Sequence, residues 1–230
     1  MDGSNEIDNF AKAVELYSDY GYEYINLPWE VEDQFAAITC PINGNEIRLV
    51  CNNPKYNIPG KQLVASGEQA FLERITKWKI KGTYQTLTPC FRCETIDDYL
   101  HQRYFKKLEL FDNDFIASDV NIALDHMCKY VEETFKRLIA SYITPFEGKI
   151  GWPELKFILT PNDDGVRENG LITTNSRDLY LLTTNGEFEL GSYGIREFPE
   201  LGLHWVYGTG LAEPRFSTAL GHQFRVNKKL

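Results

Sequence analysis

Three short stretches concentrate the residues of this chain that could do chemistry. In CFRCE at 90–94, an extended strand alternates its faces, so Cys90, Arg92 and Glu94 share one side while Phe91 and Cys93 take the other. In YFKKLEL at 104–110 the same alternation puts Phe105, Lys107 and Glu109 on one face. Side by side, the two strands would present a cation, a carboxylate, an aromatic plate and a second carboxylate. An aromatic ring beside a guanidinium suits a purine held between the two. The third stretch is GTGLAEPR at 208–215. Glycines flanking Thr209 let the backbone approach a ligand closely, and Arg215 stands at a helix start, placed for an anion.

Each stretch also has a plainer reading. An arginine and a glutamate on one strand face are often a solvated ion pair, and Phe105 could simply be core. GTGLAEPR is neither the G-x-G-x-x-G dinucleotide fingerprint nor a Walker A loop, because no Gly-Lys-Ser/Thr follows. The spacing Cys90-x-x-Cys93 invites a zinc reading, but zinc needs converging thiolates, and these two should diverge. No second cysteine pair or His-x₃₋₅-His partner accompanies them.

The elements that must position these residues read as follows. Ile7, Phe10, Ala11, Val14 and Tyr17 fall on one helical face over 6–18, a helix that Gly21 stops. Tyr22 to Leu27 reads as a strand ended by Pro28. Two β-like runs within 36–51 flank Asn43-Gly44, a hairpin signal. A helix is predicted over 67–81, closed by Gly82. Strands over 84–94 and 103–110 are joined by the polar loop ETIDDYLHQ. Ile116, Val120, Ala123, Met127, Val131, Phe135 and Leu138 predict a long helix over 114–142. Strand-like runs follow at 155–160, 179–184 and 188–195, with Asn185-Gly186 as a hairpin turn. The polar segment 161–177 reads as a loop. A last strand, HWVYGTG, leads into a helix near Pro214. The pattern predicts an α+β fold of one domain over 1–230, with an antiparallel sheet of about six strands and helices packed on it.

Composition narrows the function. Hydrophobic residues at 43% and charged residues at 25% are ordinary for a globular chain that can close one core. A net charge of −9, with no basic run longer than a pair, disfavours extensive nucleic-acid binding by this chain alone. Local basic groups remain at Lys77, Lys79 and Lys81. No apolar run approaches the roughly 20 residues of a membrane span, and the acidic N-terminus lacks a signal pattern. Five cysteines, an odd number, do not make a disulfide framework, so a reducing cytoplasm is the expected setting.

Taken in order, Gly21 to Pro28, the CFRCE strand with its partner, and GTGLAEPR resemble motifs 1, 2 and 3 of a class II aminoacyl-tRNA synthetase core, closest to the seryl type. Motif 2 in that family reads Phe-Arg-x-Glu, a variable loop, then His or Arg four residues before Phe. This chain has Phe91-Arg92-Cys93-Glu94, and His101 four before Phe105; Glu109, four further on, matches the seryl-type glutamate. Motif 3 of the seryl type carries Gly-Ser/Thr-Gly-Leu-Ala with an arginine six residues after the hydroxyl, the spacing of Thr209 and Arg215. Pro214 departs from the usual small residue there. Ser66-Gly67-Glu68 resembles the Thr-x-Glu of the seryl, threonyl and prolyl enzymes. Glu189-Leu190-Gly191-Ser192 resembles the Glu-x-x-Ser that ligates Mg²⁺. The resemblance runs from about residue 10 to 220.

That resemblance implies an antiparallel sheet flanked by helices and an ATP-dependent, AMP-forming activation of an amino acid. Arg92 would hold the α-phosphate and the amino-acid carboxylate, Glu94 would read the adenine amino group, and Phe105 would stack on the base. His101 or Arg103 would reach the terminal phosphates, and Arg215 the adenine or the γ-phosphate. Ser66 and Glu68 would take the amino group, and with Glu109 and Thr209 would form a small, net negative pocket, serine being the first expectation. Glu189 and Ser192 would ligate Mg²⁺, which requires a bulge near Gly191, because residues three apart on a plain strand face oppositely. The proline of motif 1 lies at a dimer interface in the family, so a homodimer is expected. The chain looks like a catalytic core without a tRNA-binding arm, leaving tRNA, a carrier protein or a small molecule as acceptor. The alternative is a retired paralogue that binds ATP or an amino acid as a sensor or partner subunit.

Overall fold

The apolar stripe of the N-terminus folds as α1 (Ser4–Asp19), and the strand after it shrinks to β1 (Glu23–Tyr24). In the computed structural model, residues 4–39, 61–92, 102–142, 152–184, 186–221 and 226–227 are described. After β1 come β2 (Glu30–Glu32), α2 (Asp33–Thr39), β3 (Lys61–Leu63) and α3 (Gly67–Trp78). The strands β4 (Thr83–Phe91) and β5 (Tyr104–Asp112) precede the long α4 (Val120–Ala140). Then follow β6 (Trp152–Pro153), β7 (Leu155–Leu159), β8 (Gly165–Val166), β9 (Ile172–Thr183), β10 (Gly186–Phe198) and β11 (Leu203–Glu213). The chain closes with α5 (Arg215–Leu220) and β12 (Val226–Asn227).

The sheet orders its strands β1-β4-β5-β11-β10-β9-β7, with β8 added on β9. All its pairings are antiparallel except β1 with β4. The expected α+β architecture is present, with eight strands rather than six and with 84–94 and 103–110 paired as neighbours. One face is apolar. Phe10 and Tyr17 from α1, Met127, Val131 and Phe135 from α4, and Phe216 from α5 close over Leu108, Leu110, Leu179, Leu181, Tyr193 and Leu211. On the opposite face, α2 and α3 cover only part of the sheet. There Phe71 stacks on Phe111 at 4.7 Å between ring centres, with Tyr84 and Trp205 beside them. Beside that aromatic cluster stand the polar residues, around a cavity.

Three expectations need correction. Residues 36–39, read as β-like, belong to α2, because a short apolar run fits a buried helix turn as well as a strand. The long helix starts at Val120 after a 3₁₀ turn over Ala117–Asp119, not at 114. The supposed loop 161–177 contains β8 and the first half of β9, whose Thr173 to Arg177 are polar because part of this strand faces the cavity side of the sheet. The hairpin turn Asn43-Gly44, Asn185, Glu94 and His101 lie outside the described residues.

Helix α3 ends one turn before Gly82. Lys79 takes the left-handed conformation at φ 54° and ψ 31°, and its N–H caps the Ile75 carbonyl. A side chain in that region meets its own backbone, whereas glycine does not. Lys79→Gly should therefore stabilise the fold by about 0.5–1 kcal/mol, read as a higher urea midpoint at unchanged slope.

Candidate active site

Directly paired residues of neighbouring strands share a face, and the register brings distant polar residues together. Cys90 lies opposite Phe105, Thr88 opposite Lys107, and Thr86 opposite Glu109. On the next strands Thr209 is opposite Glu109, Arg196 opposite Trp205, and Asp178 opposite Ser192. A cavity of about 510 Å³ opens on this face beside α3, with Ser66, Glu68, Arg92, Lys107, Ser192 and Arg196 in its wall.

Arg92 and Phe105 form the aromatic–guanidinium pair that the alternation predicts, with Cζ 5.1 Å from the ring centre. Arg92 Nε donates to the Ala65 carbonyl at 3.1 Å, fixing the guanidinium at the cavity edge. Its backbone N–H continues the ladder by donating to the carbonyl of Arg103, which is itself exposed. Behind them, burial pushes the Cys90 thiol up to about 12, so it stays protonated and unreactive at neutral pH.

The two pocket glutamates are not free. Glu109 accepts from Ser66 Oγ at 2.6 Å, from Lys107 Nζ at 2.9 Å, and from the Gly67 N–H. Burial alone would raise this carboxyl, but the Lys107 ammonium and the Ser66 and Gly67 donors outweigh it and hold it below its ordinary value. Ser66 is the N-cap of α3, its hydroxyl accepting from the Glu68 N–H at 3.2 Å. Glu68 accepts from Trp205 Nε1 at 2.7 Å and forms an ion pair with Arg196. The two carboxylates expected to make the pocket net negative are each neutralised: Glu109 pairs with Lys107 two residues before it on β5, and Glu68 with Arg196 of β10. Glu109 and Thr209 lie behind the cavity rather than in its wall. Thr209 instead packs on Gly191, where an added Cβ would come within 2.4 Å of the Thr209 Cβ. Glycine is needed there for space.

Glu189 and Ser192 do share a face. The ladder with β9 slips between Glu189 and Gly191, so that Glu189 pairs with Tyr180 and Ser192 with Asp178, two residues apart on β9. The extra residue of the bulge, Leu190, goes into the core at 1% exposure. Burial, with the Glu189 charge nearby, pushes the Asp178 carboxyl up. At the same site Arg215 Nη1 meets Glu189 Oε1 at 2.5 Å. Pro214 is the residue before α5, and the helix starts at Arg215 itself. Glu213 anchors this turn by accepting from the Ser217 N–H and from Asn9 Nδ2, each at 2.9 Å.

Arg196, Trp205 and Asp178 were not singled out from sequence. The first had a signal: Ser192, Gly194 and Arg196 lie two apart on one strand face. Asp178 had none, since it falls between the supposed loop 161–177 and the strand expected over 179–184.

No protein-family profile and no curated protein matches the sequence. Among solved structures, the chain is similar to a pyrrolysyl-tRNA synthetase from Desulfitobacterium hafniense, with TM-score 0.61, 15% identity, and coverage of 94% of this chain and 70% of that one. It is similar to the Giardia lamblia prolyl-tRNA synthetase in complex with prolyl-adenylate (TM-score 0.66, 12% identity, 93% of this chain and 45% of that one). It is also similar to the Pyrococcus horikoshii seryl-tRNA synthetase complexed with ATP (TM-score 0.64, 12% identity, 91% of this chain). The chain spans less than half the length of those last two. The fold is that of class II synthetase catalytic cores. No helix among the described residues is long and apolar enough to cross a membrane.

Proposed function

We propose that this chain activates an amino acid with ATP. The amino-acid carboxylate oxygen attacks the α-phosphorus, the bond to the bridging oxygen breaks, and pyrophosphate leaves an aminoacyl-adenylate. Such chemistry needs positioning and charge neutralisation more than proton transfer. The observation that carries the reading is a stacked Arg92–Phe105 pair whose arginine lines a cavity beside α3, with Arg215 at a helix start further along the sheet. Further support comes from the seryl and prolyl structures of similar fold, which hold ATP and prolyl-adenylate. In this assignment Phe105 carries the adenine, with Glu94 on its amino group. Arg92 holds the α-phosphate and the carboxylate, and Arg215 with His101 and Arg103 holds the outer phosphates. Ser66 and Glu68 stand at the amino-acid end.

Glu189, Ser192 and Asp178 are hard oxygen donors on one face, and the raised Asp178 carboxyl beside Glu189 marks a spot that a cation would relieve. These residues would hold Mg²⁺, which supplies charge neutralisation on the phosphates. ATP–pyrophosphate exchange across a panel of amino acids tests the reading. Absence of exchange with every one, alongside measurable ATP binding, would make this a nucleotide-binding relative instead. The acceptor, whether tRNA, a carrier-protein thiol or a small molecule, follows from which one takes up the labelled amino acid.

The quaternary proposal is a homodimer. An apolar groove of about 380 Å³ runs along α1 and the sheet edge, lined by Ile7, Phe10, Ala11, Val14, Tyr24 and Leu87. Ile7 is 65% exposed and Tyr24 40%, a wet apolar strip beside the short parallel strand β1. A second copy would cover it. Light scattering at micromolar concentration should return twice the 26.5 kDa of one chain; a single-chain mass refutes the dimer.

A further inference from the structure

The inner wall of the cavity offers more donors than acceptors. Glu68 is already taken by Trp205 and Arg196. The Arg196 guanidinium lies over Tyr207, with Cζ 3.9 Å from the ring centre, and its buried Nε donates to nothing among the described residues. Across the ladder stands Thr173, 2% exposed, whose hydroxyl also has no partner among the described residues. Lys107 gives one bond to Glu109, which leaves the other N–H groups of its ammonium. Lys107, Thr173 and Arg196 line one cavity with Arg92, and the remaining lining carboxylates, Asp163 and Asp164, stand exposed at its mouth.

Unpartnered donors in a half-closed pocket ask for an acceptor-rich group. An apolar side chain would leave them without an acceptor. A basic one would face two like charges. A carboxylate matches a guanidinium edge and an ammonium together. We propose that the pocket takes an amino acid with a carboxylate side chain, aspartate or glutamate, read by Arg196 and Lys107 with the Thr173 hydroxyl beside them. This rests on reading the cavity as the amino-acid end of the site, and it replaces the serine expectation, which counted Glu68 and Glu109 without their cations.

Calorimetric titration of the full chain with L-aspartate, L-glutamate, L-asparagine, L-glutamine, L-serine and inorganic phosphate tests it without ATP. One acid should bind at least about tenfold more tightly than its amide, the scale of a lost charge-assisted hydrogen bond. Arg196→Lys should erase that preference. Because this variant disturbs the Glu68 pair, Thr173→Val is the second arm. It removes an unpartnered buried hydroxyl, so it should raise the melting temperature yet weaken the acid about tenfold. A threonine that only fills space would leave the acid-to-amide ratio unchanged. Tighter binding of serine or of an amide, equal binding of phosphate, or no binding of either acid overturns the inference. Exchange separates it from the proposed function. An acid that binds but supports no exchange removes the adenylation and keeps the pocket assignment, whereas exchange with serine alone does the reverse.

Discussion

Replacing Arg92 or Arg215 by alanine should cut ATP–pyrophosphate exchange about a hundred- to a thousandfold with the circular dichroism spectrum unchanged. Each would lose one preorganised charge contact to the transition state, roughly 3–4 kcal/mol. The fold should survive. The Arg215–Glu189 pair is 28% and 37% exposed and therefore adds little to stability. Arg92 keeps its place in the ladder through its backbone. Lysine should rescue neither, because a point charge reproduces neither the planar fork nor the stack on Phe105. Phe105→Ala should act differently, weakening ATP binding by the ~1–3 kcal/mol of a base–aromatic stack. Arginine variants that exchange like the parent would remove this face from consideration as the active site.

Glu109 carries the largest expected effect on stability. It joins the N-terminus of α3 to the sheet through Ser66, Gly67 and Lys107, at 4% exposure. Glu109→Ala strands the Lys107 ammonium and should cost about 3–5 kcal/mol in urea unfolding. The pH dependence has a definite sign. The folded carboxyl sits below its ordinary 4.5, so its stabilisation is complete above that value and is lost as pH falls through the lower folded value. The gap in stability between the parent and Glu109→Gln should narrow over that acid range. A gap that stays constant there would mean that Glu109 acts by shape alone.

How far this was legible depends on where the determining contact lies along the chain. The pair β4 and β5 was readable because each strand alternates an apolar side with a polar one, and both are close in sequence. The bulge that brings Glu189 and Ser192 to one face was expected only through the resemblance to a Glu-x-x-Ser ligand pair, since residues three apart on a regular strand face oppositely. The state of Glu68 was not readable. Its cation, Arg196, is 128 positions away and meets it only once β10 joins the sheet. Counting carboxylates without their partners gave the pocket the wrong electrostatic character. The polar start of β9 looked like loop for a related reason, because much of its outer side belongs to the site rather than to the core.

The bond from Trp205 to Glu68 has an optical consequence. Trp29 and Trp78 are each 58% exposed, while Trp205 is fully buried, so among the described tryptophan side chains one indole alone sits in an apolar environment. Its N–H points at a carboxylate in the cavity wall. A ligand that changes the hydrogen bonding or charge around Glu68 perturbs the excited-state dipole of that indole directly. The short-wavelength edge of the intrinsic emission should thus follow filling of the amino-acid end in unlabelled protein, while the red edge follows the two surface indoles.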